Sequence, residues 1–342
     1  MNILVTGGAG FIGSNLCRLI LEEHPEDQVS VLDALTYAGN LSTIEDLETN
    51  ERFRFHQGRI EDGTAVRRVL KDDHIDAVIN CAAETHNDRS LLEAGVFLTT
   101  NVMGVCVLLE IVREMKIPKL VHVSTDEVYG STATGEFTEE SPLKPNTPYS
   151  ASKAAGDLLC RAHFVSYETP VVVTRGGNTY GPYQYPEKLI SFFATRLVDN
   201  KKVPVYSEGE QVREWIHVRD HAAGIDAALR KGGPGQVYNI SDKNERMNKE
   251  IVQVLLERLG KGNELVKKIP DPRKGAHDMR YSMSSDKLQG IGWAPEVPFA
   301  EGLGETIDWY AHHQGWWGTM GAKPKDQEVL QQISHPLFGE EP

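Results

Sequence analysis

At 342 residues the chain is long enough to bury a sizeable core in one large domain or two coupled domains. Its composition, 40% hydrophobic and 25% charged, is typical of a globular protein. A formal net charge of −13 argues against a nucleic acid or an anionic membrane as partner, although a local basic pocket for phosphate stays possible.

A strand, a glycine turn and a helix open the chain. Residues 1–6 read as an apolar strand, and Gly-Gly-Ala-Gly-Phe-Ile-Gly at 7–13 leads into a helical pattern. In a dinucleotide fingerprint, Gly7 permits the tight turn, Gly10 lets the backbone approach a pyrophosphate and Gly13 allows close helix packing. The phosphates would lie at the helix amino terminus. A tight turn without a ligand is the alternative for a glycine motif taken alone.

An acidic residue ends the next strand. Asp33 closes the apolar run at 29–33, about 20 residues beyond Gly13. A carboxylate there accepts hydrogen bonds from an adenosine ribose and repels a 2′-phosphate, so NAD is preferred over NADP. Further strands at 52–57 and 77–81 alternate with helical stretches, which predicts an α/β fold with a doubly wound, parallel Rossmann-type sheet.

Reactive side chains follow the apolar strand at 119–123. The segment 124–127, Ser-Thr-Asp-Glu, would emerge at its carboxyl end, where open α/β sheets bind ligands. Tyr149 and Lys153 are spaced i, i+4 on a helix predicted over 149–167, so the ammonium would stabilise a phenolate base near neutral pH. Each pattern alone also has a structural explanation, since Ser124-x-x-Glu127 fits a helix capping box.

The alternation of strands and helices loosens after residue 178. We therefore predict a Rossmann domain of residues 1–178 with 215–240 packing back on it, a smaller C-terminal substrate-binding domain of 179–317, and a tail of 318–342. Four basic residues in this half would bind a diphosphate if they meet at the crevice, with solvated surface charges as the alternative. They are Lys188, Arg213, Arg273 and Lys274.

The cysteines and the apolar runs bear on the compartment. The four cysteines are widely separated and lack metal-ligand spacing, so we expect small buried thiols and no metal site. No charged leader precedes the first strand, and no apolar run approaches the roughly 18 residues of a membrane span. These features predict a cytoplasmic protein.

Together the motifs resemble the extended short-chain dehydrogenase/reductase family, and within it the dTDP-glucose 4,6-dehydratases, over about residues 1–315. The glycine motif and Tyr149-x-x-x-Lys153 are shared with the epimerases and decarboxylases of the broad family. The segment 124–130, Ser-Thr-Asp-Glu-Val-Tyr-Gly, is more specific, because epimerases carry Ser or Thr there without the Asp-Glu pair. Residues 178–182, 186–190 and 211–215 also match the dehydratase pattern.

The resemblance implies a lyase that dehydrates dTDP-glucose to a 4-keto-6-deoxy sugar. Tyr149, supported by Lys153 and Thr125, would take the proton of the C4 hydroxyl while hydride passes to NAD. Glu127 would then remove the C5 proton, and protonated Asp126 would let the C6 hydroxyl leave as water before hydride returns to C6. UDP-glucose or another NDP-hexose is the alternative substrate, and a UDP-sugar 4-epimerase is a less favoured activity.

The resemblance also implies the binding residues and a homodimer through two long helices, about 101–114 and 149–167. The residues expected to hold NAD are Gly7, Gly10, Phe11, Ile12, Gly13, Asp33, Ala34, Leu35, Thr36, Arg59, Ile60, Cys81, Ala82, Ala83, Thr100, Tyr149, Lys153 and Thr179. The residues expected to hold the nucleotide sugar are Thr85, His86, Thr125, Asn178, Lys188, Leu189, Pro204, Tyr206, Arg213, Asn248, Arg273, Lys274 and His277.

Four features depart from the family pattern. Arg59 replaces an Asp that contacts adenine, and its guanidinium could stack on the ring instead. Thr179 replaces an Asn that contacts the cofactor, within Gly-Gly-Asn-Thr-Tyr at 176–180. The loop at 273–277 replaces Asp-Arg-Pro-Gly-His and leaves the nucleotide preference open, and the tail after Gly318 has no counterpart.

Overall fold

The computed structural model describes residues 1–271 and 278–320 of the chain. In these residues the strands are β1 (Asn2–Thr6), β2 (Gln28–Asp33), β3 (Phe53–Gln57), β4 (Ala77–Asn80), β5 (Lys119–Thr125), β6 (Val171–Gly176), β7 (Asn178–Tyr180), β8 (Val203–Tyr206), β9 (Val212–His217), β10 (Val237–Ile240), β11 (Glu245–Met247) and β12 (Val266–Ile269). The α-helices are α1 (Phe11–Glu23), α2 (Gly63–Asp72), α3 (Asn87–Leu92), α4 (Ala94–Leu98), α5 (Val105–Glu114), α6 (Pro148–Tyr167), α7 (Leu189–Val198), α8 (Val218–Lys231), α9 (Asn248–Leu259), α10 (Asp286–Gln289), α11 (Phe299–His312) and α12 (Gln314–Trp317).

A seven-stranded parallel sheet is the centre of the molecule. Its strand order is β10-β6-β5-β4-β1-β2-β3, and every neighbouring pair is parallel. The apolar runs form these strands because both faces are covered by helices, with α1 and α8 on one side and α2, α5 and α6 on the other. The order reverses between β1 and β4, which places a ligand crevice at the carboxyl ends of the strands. The predicted Rossmann-type fold is confirmed.

Residues 218–240 pack against the N-terminal half of the chain. Helix α8 lies against α1, and β10 adds a parallel strand beside β6. The remaining elements gather around a separate apolar cluster that includes Tyr180, Trp215 and Ile307. In that cluster β9 pairs with β7 and β11, and β8 pairs with β12. This second body lies over the carboxyl ends of the sheet.

The helical stretch Ala94–Glu114 is more apolar than we expected. It consists of α4, a π-helical turn at Thr99–Gly104 and α5. By length and composition it could cross a membrane, with a mean hydropathy of 1.9, so the expectation that no run approaches that length is wrong. Packing accounts for much of this composition, because Phe97 and Leu108 lie buried on its inner face.

Candidate active site

A single cleft of about 430 Å³ connects the glycine turn to the second body. This volume lies within the range of small-molecule sites. Every predicted site residue within 1–271 and 278–320 lines the cleft, except Leu35 and Lys153. The predicted residues Arg273, Lys274 and His277 lie outside the described residues. The fold thus brings the predicted residues, which come from more than ten separate segments, into one continuous cleft.

The glycine turn is shaped to admit a ligand next to the backbone. Gly7 has a φ of +70°, and a Cβ built on Gly13 would lie 2.3 Å from the carbonyl oxygen of Gly7. Helix α1 starts at Phe11 and has no side-chain cap, so its first N–H groups remain available as donors. An uncapped helix start beside a bare backbone fits a pyrophosphate.

The carboxylate of Asp33 is held by two backbone donors. The N–H of Ala9 donates to Oδ2 at 2.9 Å, and the N–H of Leu35 donates to Oδ1 at 2.8 Å. Leu35 itself has a φ of 49° and packs on the core beside the sheet, which explains why it does not line the cleft. Burial raises the pKa of Asp33, while the two backbone donors oppose that rise. The two hydrogen bonds fix the carboxylate at the end of β2, where Asp33 lines the cleft.

Asp126 is a buried acid with one unsatisfied oxygen. It is 3% exposed, and its Oδ2 has no hydrogen-bond partner among the described residues. Burial, then the negative charges of Glu127 and Glu214, raises the pKa of this carboxyl well above its ordinary value. Because a protonated carboxyl can donate a hydrogen bond, Asp126 has the properties of a general acid at neutral pH.

Thr125 and Glu127 flank that acid in a different environment. The Thr125 hydroxyl donates to Oδ1 of Asp126 at 3.1 Å and accepts from the N–H of Glu127 at 3.3 Å. Thr125, not Ser124, therefore caps the short 3₁₀ helix Asp126–Tyr129. Glu127 is half-buried, and its Oε2 accepts from the amide of Asn87 at 2.6 Å. The adjacent acids thus differ in burial and in hydrogen bonding.

Tyr149 and Lys153 share one face of α6, as their spacing predicts. Burial, then the charge of Glu127, raises the pKa of Tyr149, and a hydrogen bond with Thr125 opposes that rise. The ammonium of Lys153 donates to the carbonyl of Val123 at 2.7 Å, and burial lowers the pKa of Lys153. Burial and the nearby carboxyl groups therefore oppose the phenolate that the spacing predicts.

The far end of the cleft presents polar groups for a sugar nucleotide. Lys188 donates to the carbonyl of Thr85 at 2.8 Å, which fixes its ammonium at the cleft wall. Nδ2 of Asn178 and Oδ1 of Asn248 are buried without a partner among the described residues. Arg213 donates to the carbonyls of Val212 and Asp278, each at 2.8 Å, so it also anchors the segment after residue 277.

Thr179 has a partner that the sequence did not reveal. Its hydroxyl lies 2.6 Å from Nδ1 of His221, which also lines the cleft. A Cβ built on Gly176 would lie 2.3 Å from Cε1 of His221, so the glycine makes room for the imidazole. Burial lowers the pKa of His221 to about 4, which keeps the ring neutral. The departures at 176–180 therefore accommodate one buried histidine.

Several residues of the cleft were missed by the sequence analysis. Glu84 lines the cleft and forms an ion pair with Arg89 at 2.9 Å, and its backbone exchanges hydrogen bonds with Asn101 at 2.9 and 3.0 Å. Asn87 also lines the cleft and directly follows Thr85 and His86, which we expect to hold the nucleotide sugar. Its position after a strand end was the available signal.

The comparisons with known proteins agree with this geometry. A family model described as GDP-mannose 4,6 dehydratase matches residues 4–306. The dTDP-glucose 4,6-dehydratase of Streptomyces griseus is 49% identical over 319 residues, covering 92% of this chain and 96% of that protein.

Solved structures show the same likeness. The dTDP-glucose 4,6-dehydratase of Streptomyces venezuelae, solved with NAD and TYD bound, is 45% identical with a TM-score of 0.90 and covers 94% of this chain and 100% of its own. The UDP-glucose 4-epimerase of Thermus thermophilus, solved with NAD, is 30% identical with a TM-score of 0.83 and covers 91% and 99%. The chain belongs to the dTDP-glucose 4,6-dehydratase family, within the extended short-chain dehydrogenases/reductases.

Proposed function

We propose that this protein is an NAD-dependent lyase that converts dTDP-glucose to the 4-keto-6-deoxy sugar. The observation that carries the proposal is a pair of adjacent carboxyl groups in contrasting surroundings, both lining one cleft with Tyr149. Asp126 is buried with a raised pKa, and Glu127 is half-buried and held by an amide donor. An elimination of water needs such an acid and such a base side by side.

The residues of the cleft fit NAD. The bare turn at Gly7 and Gly13 and the uncapped start of α1 would hold the pyrophosphate, and Asp33 would bind the ribose hydroxyls. When bound, NAD supplies the two-electron oxidation at C4 of the sugar and its reversal at C6. Because Asp33 is an oriented acid, a 2′-phosphate would be repelled.

The protein's own groups move the protons. Tyr149 takes the proton of the C4 hydroxyl, and Thr125 hydrogen-bonds both the phenol and that hydroxyl. A nearby cation lowers the pKa of a buried phenol, so Lys153 and the positive charge of the oxidised cofactor both favour this transfer. Once C4 is a ketone, Glu127 removes the acidified C5 proton. Asp126 gives its proton to the C6 hydroxyl, which leaves as water, and C5 takes up a proton again when C6 is reduced.

The substrate end favours a nucleoside-diphosphate hexose. Lys188 and Arg213 bring cationic groups to the cleft, and Asn178 and Asn248 present unsatisfied amide groups to it. The relatives at 49% and 45% identity are named dTDP-glucose 4,6-dehydratases, which supports the dTDP sugar. UDP-glucose or another NDP-hexose is the alternative, since the sequence at 273–277 departs from the family pattern.

An epimerase is the less favoured enzyme. The Thermus thermophilus 4-epimerase shares the fold, and an epimerase needs the tyrosine and the lysine. It has no step in which a buried neutral acid and a carboxylate base act on C6 and C5. The placement of Asp126 and Glu127 in the cleft therefore speaks for the dehydratase.

Product analysis tests the proposal. The purified protein is incubated separately with dTDP-glucose and UDP-glucose, and the sugar is identified by nuclear magnetic resonance. We expect a 4-keto-6-deoxy product, formed faster from the dTDP sugar. A galacto-configured product would replace the proposed activity with epimerisation, and a faster reaction with the UDP sugar would change the assigned substrate.

We also propose a cytoplasmic homodimer. Leu98 and Met103 on the Ala94–Glu114 stretch, and Leu158, Val165 and Tyr167 on α6, are each more than half exposed. Large apolar side chains on two adjacent helices form a surface that a second copy would bury in a two-fold arrangement. The four cysteines are free thiols, which suits the reducing cytoplasm.

A further inference from the structure

The side-chain amide of Asn87 lies between two parts of the candidate site. Its Nδ2 donates to Oε2 of Glu127 at 2.6 Å, and its Oδ1 accepts from the hydroxyl of Thr147 at 2.8 Å. Asn87 is the first residue of α3, and both it and Glu127 line the cleft. The side chain of Asn87 therefore contacts both Glu127 and Thr147, the residue that precedes α6.

The orientation of this amide follows from the groups around it. An ionised carboxylate can only accept hydrogen bonds, so Nδ2 must face Glu127. Thr147 then gives its single hydroxyl proton to Oδ1 on the other side. The opposite orientation would place Oδ1 against the carboxylate and lose that bond. The contact between Asn87 and Glu127 is charge-assisted and therefore stronger than a neutral hydrogen bond.

The partner of Asn87 is itself part of the site's framework. Thr147 is the N-cap of α6 and accepts from the N–H of Ser150 at 3.1 Å in a capping box. Tyr149 follows two residues later in the first turn of the same helix. Ser90 donates to the backbone carbonyl of Asn87 at 2.7 Å, a bond that does not involve the side-chain amide. Asn87 thus connects the carboxyl group of Glu127 to the start of the helix that carries Tyr149.

Glu127 is surrounded by acidic groups, so the hydrogen bond that Asn87 donates to it stabilises its position. Asp126 beside it, Tyr149 from α6 and Tyr281 from the segment after residue 277 each have a raised pKa, and the charge of Glu127 contributes to each rise. Arg213 opposes the rise at Asp126 and Tyr281. In the described part of the chain, Asn87 supplies the side-chain hydrogen bond that this carboxylate accepts.

We propose that Asn87 is a positioning residue for proton removal at C5, an inference that rests on the proposed dehydration. It holds the carboxyl group of Glu127 in place through the hydrogen bond from Nδ2 to Oε2. With Oε2 engaged by the amide, Oε1 is the oxygen that takes the C5 proton. The C5–H bond breaks, an O–H bond forms on Glu127, and the electron pair enters the C5–C6 bond as the C6 hydroxyl leaves.

Two substitutions separate this role from a structural one. Asn87→Leu keeps the side-chain volume but removes the donor, and Asn87→Asp places a second negative charge beside Glu127. Ser90→Ala is the matched control, since it removes a hydrogen bond from the same helix without touching the carboxylate. With dTDP-glucose in deuterated water, oxidation at C4 is followed by nicotinamide absorbance and exchange at C5 by mass spectrometry.

In Asn87→Leu we expect exchange at C5 to fall by about tenfold or more while oxidation at C4 stays within about twofold, because a charge-assisted bond to the base is lost. In Asn87→Asp we also expect exchange at C5 to fall, because the new carboxylate repels Glu127 and cannot donate a hydrogen bond to it. Ser90→Ala keeps the wild-type ratio of the two rates. An unchanged ratio in Asn87→Leu, in a folded protein, would overturn the proposal.

Thermal unfolding of the NAD-loaded protein tests the contact between Asn87 and Glu127 independently of the proposed function. A double-mutant cycle of Asn87→Leu and Glu127→Leu should show non-additive changes in Tm, because the two side chains interact directly. If the wild type does not dehydrate dTDP-glucose, the proposed function fails, and the cycle still decides whether Asn87 holds Glu127. Additive changes would contradict the contact on which the inference stands.

Discussion

The two neighbouring acids at the end of β5 behave differently because their surroundings differ. Asp126 is enclosed by protein, and its unsatisfied oxygen makes the charged form costly. Glu127 is half-buried and accepts a strong hydrogen bond, which favours a carboxylate. Adjacent positions on one short 3₁₀ helix can therefore hold an acid and a base at the same pH.

Glu127→Gln should separate the chemical steps. An amide cannot accept the C5 proton, so exchange at C5 should fall by about 10² to 10⁴-fold, the usual contribution of a general base. Oxidation at C4 should continue, since Tyr149 is unchanged. Deuterium incorporation at C5 measures the first effect and nicotinamide absorbance the second. The exposed Glu140→Gln is the control, and normal exchange in Glu127→Gln would remove this residue from its role.

Asp126→Asn should change the dependence of stability on pH. The pKa of Asp126 is raised in the folded protein, so folding favours the protonated form. The wild-type free energy of unfolding therefore falls as pH rises from the unfolded value, about 3.9, toward the folded value. An asparagine lacks this loss, so the Tm advantage of the variant over wild type should grow as pH rises above about 4. A difference that is constant with pH would mean that Asp126 is ionised in the fold.

At the scale of elements, the start of α1 depends on a close approach between backbones. A Cβ on Gly13 would lie 2.3 Å from the carbonyl of Gly7, and relief requires movement of the turn. Gly13→Ala should therefore lose co-purifying NAD and cost roughly 1–3 kcal/mol of stability. Ultraviolet spectra of the protein and thermal unfolding measure the two effects.

Gly95 provides the control for that substitution. It lies in α4, and a Cβ there would meet nothing within 4 Å. Gly95→Ala should keep NAD and stabilise the helix by roughly 0.5–1 kcal/mol. Equal NAD content in Gly13→Ala and Gly95→Ala would contradict the role of the glycine turn.

The sequence was sufficient to locate site residues where a local pattern marks the end of a strand and the sheet topology brings the strand ends together. Apolar runs followed by polar residues located the strand ends, and because all these strands are parallel, Asp33 and Glu127 came to the same edge. Asn87 escaped detection because a single amide at a helix start has no periodic signature. The pair of Thr179 and His221 is separated by 42 residues and forms only through packing. The apolar stretch Ala94–Glu114 was underestimated because polar residues interrupt it.

At the scale of the molecule, the exposed apolar side chains of the Ala94–Glu114 stretch and of α6 predict the oligomeric state. Leu158→Glu with Val165→Glu places two carboxylates on a surface that a partner would desolvate. We expect light scattering to give a dimer for wild type and a monomer for this double variant. A monomeric wild type would contradict the proposed interface. The domain boundary near residue 178 stays a prediction. Strand β10 follows that boundary in the sequence but pairs with β6 in the main sheet.

The central claim is that the residues of one cleft carry out both the hydride transfer and the proton transfers of the dehydration on a single hexose. The most direct measurement uses dTDP-glucose that carries deuterium at C4 and locates the label in the product by nuclear magnetic resonance. The account predicts a 4-keto-6-deoxy sugar with the deuterium at C6. Deuterium that remains at C4 of a galacto-configured sugar would contradict it.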